Sequence, residues 1–84
     1  MYSVSYRNNL DRVSAQVVDG STTPKQFIES NGVSLGNYAL QLNGIALSPS
    51  EQNATFDQLV ASYKLDGDAE IILAGVKPSN GGNK

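Results

Sequence analysis

The chain has 84 residues, a formal net charge of −2, no cysteine and no histidine. A chain of this length buries only about 60–65% of its unfolded surface, enough for one core and not two, which argues against a deep internal active site. Disulfides, thiolate nucleophiles, imidazole bases and the commonest metal ligands are excluded by composition. Six Lys and Arg against eight Asp and Glu, spread without a basic run, leave no phosphate-backbone footprint, so nucleic acid is not an expected partner. No apolar run approaches the roughly 18 residues of a spanning helix, and Met1-Tyr2-Ser3-Val4 lacks the basic and apolar regions of a signal peptide. A soluble cytoplasmic protein without membrane contact is expected.

Tyr2, Val4 and Tyr6 alternate with Ser3, Ser5 and Arg7, the period-2 pattern of a half-buried strand. Asn8-Asn9 breaks it. Val13, Ala15 and Val17 then alternate with Arg12, Ser14 and Gln16, which predicts a second strand in an antiparallel hairpin, ended by Asp19-Gly20. Arg7 and Arg12 flank its turn and read as solvated edge residues, with a small anion-binding pair as the alternative. Thr23-Pro24-Lys25-Gln26 supplies a capping hydroxyl, a proline at the first helical position and a glutamine placed to bond back to the cap. Asn31-Gly32-Val33 supplies a left-handed stop, with Val33 returning onto Ile28. A helix over about Pro24–Asn31 follows, too short to stand alone and held by Phe27 and Ile28 on the sheet.

Leu40-Gln41-Leu42-Asn43-Gly44-Ile45-Ala46-Leu47 predicts a hairpin around a type I′ turn, since Asn-Gly tolerates positive φ at both central positions. Tyr38, Leu40 and Leu42 share its buried face, continued by Ile45 and Leu47, while Ala39 and Gln41 face out. Ser48 to Asn53 reads as a polar loop. Thr55-Phe56-Asp57-Gln58-Leu59 repeats the cap logic and predicts one very short helical turn. Asp66-Gly67-Asp68 then reads as a turn, with Gly67 at positive φ, feeding a last strand. Ala69, Ile71 and Leu73 are assigned to the core, with Glu70, Ile72 and Ala74 outward. Pro78 to Lys84 reads as a flexible, Gly-rich tail.

This order, carried mainly by Leu40–Leu47, Thr55–Leu59 and Leu65–Val76, resembles the β-grasp fold of the ubiquitin-like superfamily over residues 1–77. The resemblance implies an α+β domain with a mixed four- to five-stranded sheet and one α-helix packed across it. It also implies that the first and last strands lie parallel in the sheet centre. Two family functions follow as expectations. One is recognition through the open sheet face, where Ala39, Gln41, Ile72 and Ala74 form a mixed surface whose central Gln41 differs from the apolar residue of ubiquitin's patch, pointing to a different protein partner. The other is activation of a terminal diglycine, Gly81-Gly82, by a partner enzyme, as in ubiquitin-like modifiers and sulfur carriers. Here Asn83-Lys84 follow the glycines, so the reactive carboxylate exists only after cleavage. No cofactor is expected. Asp66, Asp68 and Glu70 have a faint likeness to a calcium loop but read as turn chemistry, so no metal is expected. Without His, Ser and Thr lack an activating base, and no catalytic residue is assigned. The leading expectation is a non-catalytic protein-interaction module.

Overall fold

The first twenty residues form the expected hairpin in the computed structural model, which describes residues 1–77. Strand β1 (Tyr2–Arg7) pairs antiparallel with β2 (Arg12–Val18). Asn8 closes the turn: its Oδ1 accepts from the N–H groups of Leu10 at 2.8 Å and Asp11 at 2.6 Å. The even alternation expected of β2 does not hold. Ser3 faces Val17 and Val4 faces Gln16, but Tyr6 faces Val13, so Ser14-Ala15 oppose the single residue Ser5. This β-bulge shifts the side-chain register by one residue. Val13 is therefore buried while Val17 remains 69% exposed, and Gln16 instead donates to Asn31 Oδ1 at 2.7 Å.

Helix α1 (Pro24–Ser30) begins with both bonds of a capping box, Thr23 Oγ1 accepting from Gln26 N–H and Gln26 Oε1 from Thr23 N–H, each at 3.1 Å. It ends on Gly32 at φ 81, with Val33 N–H donating to the Ile28 carbonyl at 3.3 Å, the six-to-one bond of a Schellman stop. Strands β3 (Ala39–Leu42) and β4 (Ile45–Ala46) flank Asn43 at φ 50 and Gly44 at φ 84, the signs a type I′ turn requires.

Two segments are more regular than the sequence reading. Glu51–Asn53 forms a 3-10 turn, with Glu51 Oε1 accepting from Ser48 N–H at 2.8 Å, in place of an unstructured loop. The single helical turn is a full helix, α2 (Phe56–Tyr63), opened by a second capping box between Thr55 and Gln58. Phe56, Leu59, Val60 and Tyr63 recur at helical spacing and carry the helix to Lys64, which takes the left-handed conformation at φ 53. Among the described residues there are thus two helices, the second standing where a single helical turn was expected. The turn before the last strand is built by Asp66, whose Oδ1 accepts from Asp68 N–H at 2.9 Å. Gly67 is not at positive φ. Ala69 is exposed ahead of β5 (Ile71–Val76) and does not join the core.

Among the described residues five strands form a mixed, open sheet in the order β2-β1-β5-β3-β4. β1 and β5 run parallel, with Val4 against Ile71 and Arg7 against Ala74, the pairing that the resemblance implies. β5 pairs antiparallel with β3, Gln41 lying against Ala74 and Leu42 against Leu73. Inward residues Val4, Tyr6, Leu40, Leu42, Ile71 and Leu73 join Phe27 and Ile28 of α1 and Phe56 and Leu59 of α2 in one buried cluster. Gly75 is required where Tyr6 crosses β5, since a Cβ there would strike the Tyr6 hydroxyl and lie 3.1 Å from Asn8 Cβ. Burial raises the Tyr6 pKa above its ordinary value, and the Asn8 side-chain amide, donating to the phenol oxygen at 2.9 Å, acts in the opposite sense. Among the described residues no helix is long and apolar enough to cross a membrane.

Candidate functional site: the open sheet face

Both helices contribute their apolar side chains to the same cluster as the inward strand residues, so the opposite face of the sheet stays uncovered among the described residues. Strand pleating then fixes its composition, because every second residue of each strand points there. From β5 come Ile72, Ala74 and Val76, from β3 Ala39 and Gln41, and from β1 Ser3, Ser5 and Arg7.

The four residues assigned to this face from sequence lie together. Gln41 sits directly against Ala74, and Ala39 against Val76. Ile72 is one pleat further along β5, held in register by Asn43, whose Oδ1 accepts from Ile72 N–H at 2.8 Å and whose own N–H donates to the Ile72 carbonyl at 2.9 Å. The hairpin turn therefore positions Ile72, at one end of the apolar row, through side-chain and backbone bonds of the same asparagine. Ile72 is 44% exposed and Val76 41%. Val76 belongs to this face and was missed by reading the last strand only to Ala74. Its alternation with Gly75 was the available signal.

Ile72 also borders a shallow cleft of about 350 Å³, with Ser5, Arg7, Arg12, Ser14 and Glu70 among its lining residues. The cleft arises at the bulge, where β2 departs from regular pairing with β1. Arg7 and Arg12 oppose each other directly across the hairpin and lie on the open face, and Arg7 is also in register with Ala74. At the other end Ser5 Oγ donates to Glu70 Oε2 at 3.1 Å. The chain has no imidazole to activate this hydroxyl, and a lone hydroxyl–carboxylate contact lacks the orienting third group of a nucleophilic site. The arrangement suits binding: a short apolar row bounded on one side by two guanidinium groups and on the other by the Gln41 amide.

The diglycine Gly81-Gly82 and the tail assigned to Pro78–Lys84 lie outside the described residues. The Asp66 carboxylate is drawn into its own turn by the Asp68 N–H, and among the described residues no group of three or more acidic side chains converges. No protein-family model, no curated protein and no solved structure matches the chain.

Proposed function

We propose that the chain is a β-grasp domain of the ubiquitin-like type, acting as a non-catalytic module that binds another protein through its open sheet face. The fold part of this reading is supported by the parallel β1–β5 pairing at the heart of a five-stranded mixed sheet, with an antiparallel hairpin at each side. The functional part is supported by one observation above the others. Ile72, Ala74, Val76 and Ala39 form a contiguous apolar row on a face that no described element covers, with Ile72 and Val76 each more than two-fifths exposed. Apolar residues clustered on one uncovered face, rimmed by polar groups, are the composition of a recognition surface.

A photo-crosslinking side chain at Gln41 tests the reading, with one at Ala61, exposed on α2, as the comparison. In extracts of the native host the Gln41 probe is expected to give a discrete adduct with a second protein and the Ala61 probe none. Adducts of equal yield from both positions, or none from Gln41, would remove the sheet face from consideration.

A further inference from the structure

We infer that the cleft between Arg12 and Ile72 holds an extended acidic segment of a protein partner, a carboxylate lying on the paired guanidinium groups and an apolar side chain two residues away on Ile72. This rests on the proposed role of the open sheet face and names the chemistry of its partner.

The first ground is the placement of charge. Arg7 and Arg12 are the chain's two arginines, in a protein whose net charge is −2, and the hairpin sets them directly opposite each other on one face. Like charges in opposed positions weaken a strand pair, because their Cβ atoms stand only about 4.5–5.5 Å apart. An anion between them converts that repulsion into attraction. Guanidinium groups suit a carboxylate, since each offers parallel N–H donors to its two oxygens.

The second ground is the cleft, which is polar at both ends but unequally charged. Ser5 and Ser14 also line it, one on each of the two strands at the bulge. Glu70, engaged by Ser5 Oγ at 3.1 Å, bounds the far end and repels an entering carboxylate there. A ligand with one acidic and one apolar group is thereby given a direction: the acid goes to the arginines.

Spacing supplies the third ground. Ile72 is in register with Ser5, and Ser5 lies two residues before Arg7 on the same face of β1. Two residues of strand span about 6.6 Å, the same interval that separates side chains i and i+2 on one side of an extended peptide. An extended segment running along β1 therefore places Asp or Glu over the arginines when its apolar residue is over Ile72. A peptide of five residues is too short to meet the spacing as a helix.

The test is a titration of the isotope-labelled full chain, followed by amide chemical shifts, with acetyl-Gly-Asp-Ser-Leu-Gly-amide. Its counterparts are the same peptide with Asn for Asp, and with Asp and Leu adjacent. The acidic i, i+2 peptide is expected to shift Ser5, Arg7, Arg12, Ser14 and Ile72 together. The Asn peptide, and the Arg7→Gln and Arg12→Gln proteins, are each expected to bind at least about tenfold more weakly, as loss of a charge-assisted contact implies. Both arginines are exposed, so the variants keep the native spectrum. Equal binding of the Asp and Asn peptides, abolished by Ile72→Glu but not by either Arg substitution, overturns this inference while leaving the sheet-face reading standing. Shifts that avoid the open face with every peptide overturn both. Inorganic phosphate binding Arg7 and Arg12 more tightly than the acidic peptide overturns the assignment to a carboxylate partner.

Discussion

Gly75 and Tyr6 show how one small residue sets the local geometry of the sheet. Tyr6 is 1% exposed, and its phenol occupies the space a side chain at position 75 would need. Gly75→Ala therefore overpacks the core and is expected to cost about 1–3 kcal/mol, read as a lower urea midpoint at an unchanged slope. Read from sequence as a strand end, the glycine instead lies within β5, which runs on to Val76, and its contact was not legible, since Tyr6 lies on a strand far away in sequence. Ile72 was legible as outward-facing because period-2 alternation leaves it no other direction. Arg7 and Arg12 were visible as the two arginines flanking one turn. Their shared cleft was not, because it depends on a bulge that Ser14-Ala15 do not announce by type.

The two helices share one starting device, a threonine cap answered by a glutamine three residues on, with both reciprocal bonds formed. Thr23→Ala and Thr55→Ala are each expected to lose about 1 kcal/mol by chemical denaturation, the usual cost of removing a capping hydroxyl. Both starts were readable from sequence because capping chemistry is local. Their ends were less so. Gly32 marks the stop of α1, whereas α2 stops at Lys64, a non-glycine residue held left-handed while Leu65 N–H donates to the Val60 carbonyl at 2.9 Å. Packing of Val60 and Tyr63 against the core carries α2 beyond its first turn, a tertiary effect that propensity does not display. The Asn43-Gly44 turn is local again. Gly44→Val places a β-branched residue at φ 84 and is expected to destabilise the hairpin by about 1–3 kcal/mol.

The assembled molecule is expected to lose stability at both pH extremes. Backbone N–H donation from Ser48, followed by the Tyr63 hydroxyl, holds the Glu51 carboxyl below its ordinary value of 4.5, and Ser21 does the same for Asp19 below 3.8. A depressed carboxyl pKa gives stability that is present above the unfolded value and lost as pH falls through the folded one. Tyr63 and Tyr2, donating to Glu51 and Asp57, and Tyr6 through burial, are all raised above 10.0. Their contribution is complete below that value and declines above it. Urea midpoints are therefore expected to fall on both sides of a neutral plateau, and Glu51→Gln to flatten the acid limb. The strands and much of the core were legible, since alternation and turn residues agree along the chain. The parallel β1–β5 pairing that sets the strand order was implied only by the resemblance and not by patterning. The binding surface was legible only in part, because it is assembled from β1, β2, β3 and β5, whose register appears only on folding. Its role is tested most directly by immobilising the full chain as wild type, Ile72→Glu and Ala61→Glu, and measuring recovery of the protein that crosslinks at Gln41. Wild type and Ala61→Glu should retain it, and Ile72→Glu should lose it while keeping native dichroism. Retention by Ile72→Glu would contradict the account.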